Sequence, residues 1–532
     1  MHYFPHKPLS NATNVCPDSR AFLAVSSLPT PPQDAGCKRR MAQTDETPTK
    51  RLRITDAQVA DETEEDSDID TKPLDVLRSR ARRHTMFNLL KTASIRPTLF
   101  APTILPSRCI LQSFVSSNKS DMYACHSLSN NAFVTPPYAC AYSNGAKRNS
   151  TPFLAVATEE GSVMILNTSR RRDWDLESQR TLLQPHHNGI FDVKWGPDDS
   201  VVATASGDKT THISSVETQQ VTQVLRGHSS TVKCIAWNPS HPDLISTGSR
   251  DGNIYLWDLR LTNNSDPSLI MEEDTPPSYP IMAIDAAHGQ EKNKGGKRKT
   301  KPLPRSVTGL LYTNEHTLVS SGSFDGVLNM WDLRQPKAKA AGKRTKKPIP
   351  MAPVCTSPTD PTMFHGARRA RGLMSLCAGS GPSAGLLFAL GADDRIHIYD
   401  SSTLIPVESF THPNLLSSFY VHLASSPCGR WLASGCSGKN GSVFLYDISN
   451  AGRLTASPHV RGATESLTAA MELRGQAGEI GAVDWANDMI ASCADDRTVR
   501  VWRPDLDVYQ GCISQPEEKE WEWSWSRGIY PS

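Results

Sequence analysis

The stretch Arg226–Arg260, RGHSSTVKCIAWNPSHPDLISTGSRDGNIYLWDLR, decides the fold. It holds three short β-rich runs, Val232 to Trp237, Leu244 to Gly248 and Asn253 to Trp257, separated by the turn pairs Asn238-Pro239 and Asp251-Gly252. Related units recur at Asn188 to Ser215, Val307 to Arg334, Leu373 to Asp400, Phe419 to Asp447 and Glu479 to Trp502, with a weaker copy at Tyr138 to Asn167. That makes seven.

From Val134 to Trp502 the chain runs about 370 residues, and leaving out Lys- and Pro-rich interruptions near 261–303 and 336–371 gives about 42 per unit, the period of WD repeats. Each unit is a four-stranded antiparallel sheet that cannot bury both faces alone, so the units stack radially. The expected fold is all-β: a seven-bladed WD-repeat β-propeller with a disordered N-terminal tail and basic inter-blade insertions. Within the Arg226 unit, His228, Thr247, Asp251 and Trp257 are placed to form one buried hydrogen-bonded chain.

The rest of the chain frames this ring. Residues 1–85 read as a tail with basic and acidic clusters, including the acidic run Asp61–Asp70, and lack a sustained apolar period. Residues 86–505 are assigned to the propeller and 506–532 to a Trp-rich tail, in which the alternation at Trp521, Trp523 and Trp525 predicts an extra strand packed on the ring. The chain has 532 residues, 57 Lys and Arg against 55 Asp and Glu, and a net charge of +2, so wholesale phosphate neutralisation is not its task. No apolar run is long enough to span a membrane, and the short apolar stretch Ala21–Leu28 is followed at once by prolines, unlike a signal peptide. The 12 cysteines form no C-x-x-C pair, which fits a reducing compartment and neither a zinc nor a redox motif. Ser, His and Asp recur in every unit for structural reasons, and no phosphate-binding loop, H-E-x-x-H or G-x-S-x-G elbow occurs. A non-catalytic protein without metal or cofactor is expected.

Two consecutive units end alike, in Trp257-Asp258-Leu259-Arg260 and Trp331-Asp332-Leu333-Arg334. An arginine just past each Trp-anchored strand offers a planar fork to carboxylates or carbonyls of a partner, or to its own neighbouring aspartate. The pair resembles the ending typical of WD-repeat substrate receptors that dock on the damaged-DNA-binding protein 1 adaptor of cullin-4 RING ubiquitin ligases. The stretches Phe87–Lys91, Val156–Gly161, His187–Trp195, Arg250–Ile254, Ser306–Thr308 and Ser418–Val421 make the chain similar to the denticleless family in particular, over roughly residues 86–505. That resemblance implies an adaptor-binding site at Trp257, Asp258, Arg260, Trp331, Asp332 and Arg334. It also implies a role in presenting replication and cell-cycle factors, bound to proliferating cell nuclear antigen, for ubiquitination in S phase and after DNA damage. No Q-x-x-[ILM]-x-x-[FY]-[FY] clamp-binding motif occurs, so recognition is expected of the clamp-bound degron and not of the clamp by the receptor itself. A nuclear WD-repeat scaffold or histone- or ribosome-assembly chaperone is the alternative.

Charge patterning predicts a nuclear protein. Lys38, Arg39 and Arg40 stand nine residues ahead of Lys50, Arg51 and Arg53 in bipartite import spacing, and Lys297, Arg298 and Lys299 form a second cluster in the first insertion. Thr47, before Pro48, is a proline-directed phosphorylation candidate beside that signal. No direct sequence-specific nucleic-acid binding is expected, since no aromatic interleaving or reading helix accompanies the basic runs. The turn aspartates Asp208, Asp325, Asp394 and Asp496 are read as structural.

Overall fold

The computed structural model describes residues 107–128, 133–172, 179–261, 277–290, 304–334, 351–364, 366–453, 464–466, 470–514 and 524–527. They form an all-β, seven-bladed propeller. Blade 3, the Arg226 unit, pairs Val232–Trp237, Leu244–Ser249, Ile254–Asp258 and Met282–Ile284 in antiparallel order from the axis outward. Blades 1, 2, 4, 5 and 6 repeat that order, with inner strands Pro137–Tyr142, Ile190–Trp195, Val307–Tyr312, Leu373–Ala378 and Leu423–Ser425. Each inner strand packs on the next, and that of blade 7, Ile480–Trp485, returns to blade 1.

Both faces of each blade are covered, so the second strands are buried almost throughout: in blade 1 Leu154, Ala155, Val156 and Ala157 are all fully buried. Hydrophobic clusters accordingly lie between blades. One joins Ala141 and Ile165 of blade 1 to Val193 and Val202 of blade 2. Another joins Cys234 and Ile254 of blade 3 to Val307, Leu318 and Trp331 of blade 4. No single blade has a core of its own, which is why the units need the ring.

Closure comes from a distant part of the chain. The outer strand of blade 7 is Met122–Ala124, from before blade 1, paired antiparallel with Thr498–Arg500. Farther along the same blade 7 strand, Phe114–Ser116 pairs with Arg503 and Pro504, and Ser524–Arg527 lies between Phe114–Ser116 and the outer strand of blade 6. The Trp-rich tail thus does supply an extra strand, through Ser524–Arg527.

Both expected interruptions contain structure. The 261–303 segment carries the outer strand of its own blade, Met282–Ile284, and places Pro277–Ser278 parallel to the outer strand of blade 2. The 336–371 segment carries the outer strand of blade 4, Cys355–Thr356. A similar excursion in blade 6 lays Thr464–Ser466 parallel to the outer strand of blade 5.

Candidate docking surfaces

Blade 3 has the predicted buried chain. His228 Nδ1 lies 3.1 Å from Asp251 Oδ2 and its Nε2 lies 2.8 Å from Thr247 Oγ1, while Trp257 Nε1 donates to the same hydroxyl at 2.9 Å. Thr247 therefore accepts from the indole and donates to the imidazole, which leaves Nδ1–H to donate to Asp251. Burial pushes the Asp251 carboxyl up, but hydrogen bonds from His228, Asn253 and Ser229 outweigh it and hold the group below the usual carboxylate range.

The other blades improvise on this plan. Blade 4 uses His288, Ser320 and Trp331, with Trp331 Nε1 donating to Ser320 Oγ at 2.9 Å. In blade 7 Gln476 replaces the histidine and joins Ser492 and Trp502. Blade 2 has His186, Thr204 and Asp208, but Ser214 stands where the tryptophan belongs. These variants escape a search for one fixed motif, although each keeps a hydroxyl at the corresponding strand position. His186, Asp208 and His212 come close enough to share an ion, yet both ring nitrogens of His186 are already spent on Asp208 and Thr204.

The blade turns define two faces. Turn aspartates such as Asp251 lie between the second and third strands, so the third strand ends on the opposite rim. There the two repeated tetrapeptides sit in matching geometry. Leu259 N–H donates to Asp243 O at 2.8 Å and Leu333 N–H to His316 O at 2.9 Å, which fixes both chain paths. Arg260 N–H and Arg334 N–H each donate to the aspartate two residues back at 3.0 Å. The two arginine side chains are 67% and 66% exposed, Arg260 held in a two-pronged bond to Asp258 (2.9 and 2.7 Å) and Arg334 at 3.3 Å from Asp332. Trp257 and Trp331 themselves are buried and anchor the strands from within. Large apolar side chains stand exposed on the same rim, in the connections between third and outer strands: Leu261, Ile281, Val354 and Ile405.

The opposite face is closed near the axis by aromatic rings. Tyr138, Phe191, Phe419 and Tyr420 from blades 1, 2 and 6 meet with centroids 5.3 to 6.1 Å apart. Lys233 of blade 3 reaches across, its Nζ 3.8 Å from the Phe419 ring centre and donating to Phe419 O at 2.8 Å. Burial brings that amine down to about 8. Asp208 and Asp496 accept from the backbone N–H groups of Thr210 and Thr498 within their own turns, Asp394 accepts from Ser417 N–H in the connection to blade 6, and Asp325 faces Arg305 at 3.3 Å. The import residues Lys38, Arg39, Arg40, Lys50, Arg51, Arg53, Lys297, Arg298 and Lys299, and Thr47, lie outside the described residues.

The family model described as WD domain, G-beta repeat matches residues 177–213, 219–258, 299–332, 407–447 and 468–503. Those ranges fall on blades 2, 3, 4, 6 and 7. The denticleless protein homolog of Danio rerio is 32% identical over 378 residues, covering 70% of this chain and 52% of that protein. Homolog A of Xenopus laevis is 30% identical over 420 residues, covering 76% and 52%, and the Homo sapiens protein 29% over 391 residues, covering 69% and 46%. The chain spans about half the length of these curated relatives. Among solved structures, a chain of the mitotic checkpoint complex aligns with 77% of this chain and 96% of its own length, at 17% identity and a TM-score of 0.47. Fold and repeats define a WD-repeat propeller protein. Within that class, the chain is similar to the denticleless proteins over about 70–76% of its length, as a denticleless-type WD-repeat protein.

Proposed function

We propose that this protein is the non-catalytic substrate-recognition subunit of a cullin-4 RING ubiquitin ligase, docking on the damaged-DNA-binding protein 1 adaptor and presenting clamp-bound replication and cell-cycle factors in the nucleus. The observation that carries the reading is the matched pair Arg260 and Arg334: equivalent positions in adjacent blades, both guanidinium groups exposed, both oriented by their own aspartate, on a rim with exposed Leu261, Ile281 and Val354. Exposed arginine together with exposed apolar side chains on one rim is the composition of an interface hot spot. The aspartate partners hold the forks ready, so that little side-chain entropy remains to be lost on docking.

Affinity capture of the full chain from cells tests the reading. The wild-type chain should bring down the adaptor and cullin, and Arg260→Ala with Arg334→Ala should lower adaptor affinity by more than about 100-fold, at roughly 2 kcal/mol or more per arginine. Unchanged adaptor recovery with the double variant overturns the docking site, and recovery of histones or pre-ribosomal proteins in place of ligase subunits favours a chaperone.

A further inference from the structure

The face opposite the arginine pair has a second basic feature, on the loop between the outer strand of blade 4 and the inner strand of blade 5. Both ends of this loop are fixed to the blade 4 turn at 323–326. Asp360 Oδ1 accepts from Gly326 N–H at 3.1 Å, from Thr362 N–H at 2.9 Å and from the Thr362 hydroxyl at 2.6 Å. Arg371 N–H then donates to Thr362 Oγ1 at 3.1 Å, and Gly372 lies so close to the Ser323 backbone that a Cβ would come within 2.2 Å of it.

From this fixed base the loop turns outward side chains that a solitary chain has no reason to expose. Met363 and Phe364 are 40% and 41% exposed, and Phe324 of the blade 4 turn is 42% exposed. Arg305 lies 3.6 Å over the Phe324 ring and is neutralised by Asp325. Arg368 and Arg369 are exposed and have no hydrogen-bond or ion-pair partner among the described residues. The nearby carboxylates are spoken for: Asp360 by the loop base, Asp394 by Ser417, Asp393 by His397. What remains is a loop that carries two uncompensated guanidinium groups, at Arg368 and Arg369, and two exposed apolar side chains, Met363 and Phe364.

We propose that this loop is the docking site for an acidic peptide segment, and that the segment is residues 61–70 of this same chain. Asp61–Asp70, DETEEDSDID, carries seven carboxylates in ten residues, with Ile69 available to the apolar flank. Guanidinium forks suit clustered carboxylates, and exposed arginines in this setting pair with acidic motifs. The tether suffices. The 36 residues between Asp70 and Ser107 reach up to roughly 120 Å extended, against a radius of gyration of about 21 Å for a compact body of 400 residues. A tethered segment works at an effective concentration near millimolar, so modest intrinsic affinity fills the site. The proposal uses the face opposite Arg260 and Arg334 and is independent of the adaptor reading.

The test compares three full-length chains: wild type, one with the seven carboxylates of 61–70 changed to amides, and Arg368→Ala with Arg369→Ala. Hydrogen–deuterium exchange of the 363–371 amides at low salt should be about tenfold slower in the wild type than in either variant, and the difference should vanish at about 0.5 M salt. A labelled peptide of residues 58–73 should bind the amide variant, and at least tenfold more weakly when Arg368→Ala and Arg369→Ala are added. Equal exchange in all three chains overturns the proposal. So does peptide binding indifferent to the two arginines, or a loop that takes labelled duplex DNA in an arginine-dependent manner but not the peptide. Neither arginine carries a fold contact, so matched melting temperatures confirm that the variants report docking.

Discussion

At the scale of single residues, Thr247 makes the sharpest prediction. It is fully buried, and its hydroxyl is the hydrogen-bond partner of both Trp257 Nε1 and His228 Nε2. Thr247→Val keeps the shape and strands two buried polar groups, each costing about 1–3 kcal/mol. The expected loss is about 3 kcal/mol in equilibrium unfolding, against less than about 0.5 kcal/mol for Ser200→Ala, whose hydroxyl bonds Asp198 at the exposed surface. Equal effects of the two changes would remove the buried chain from its central role. The Arg260→Ala and Arg334→Ala pair should behave in the opposite way to Thr247→Val, abolishing partner binding while moving the melting temperature by no more than about 1 °C, because both groups stand in solvent.

At the scale of elements, the weak point of any propeller is the seam where ring closure depends on strands far apart in sequence. Here Met122–Ala124 supplies the outer edge of blade 7, with Tyr123 buried and in register with Val499. Tyr123→Pro removes a ladder donor and a buried ring together. The cost should exceed about 3 kcal/mol, and limited proteolysis should begin at blade 7 before any other blade. Cleavage elsewhere first would show that the closure is not the limiting seam. The same long-range pairing explains why this element left no mark on the repeat: a lone three-residue strand outside the periodic units carries no local period to read.

Over the whole molecule, buried neutral histidines set the acid limit. Burial, aided by Arg305, brings His288 down to about 4; burial with the neighbouring His186 brings His212 to about 4; and burial with Lys233 and Lys194 puts His422 well below its ordinary value. In the unfolded chain these groups protonate near 6.5, so the unfolded state binds protons first and stability falls as the pH drops from about 6.5 towards 4. For His288 alone the loss reaches about 3 kcal/mol. Asp208, held at about 2 because hydrogen bonds from His186 and Thr210 overcome its burial, adds a further loss as the pH falls from about 4 towards 2. Melting temperature should therefore decline steadily as the pH falls from about 6.5 towards 4. A decline confined to pH below 4 would mean that the histidines carry no such weight. Nuclear import belongs to this scale too: Thr47→Glu, with Lys297, Arg298 and Lys299 neutralised, should lower the nuclear fraction relative to Thr47→Ala, and identical distributions would end the idea of a charge switch there.

The sequence by itself determined the ring, because a blade is a local object. The first three strands of the Arg226 unit follow one another from Val232 to Asp258, its turns are the Asn238-Pro239 and Asp251-Gly252 pairs, and the His228–Thr247–Asp251–Trp257 chain is spaced by the hairpins that bring it together. The positions of Arg260 and Arg334 were legible for the same reason, each being a fixed offset from a Trp-Asp strand end. Tertiary structure alone decided the rest: which strand closes blade 7, that Pro277–Ser278 and Thr464–Ser466 widen neighbouring blades, that Lys233 crosses the axis to Phe419, and that Asp360 fixes the arginine loop to blade 4. These contacts join residues dozens to hundreds of positions apart, through pairings and single hydrogen bonds that impose no period on the chain, and only the packing of one blade on another brings them within reach.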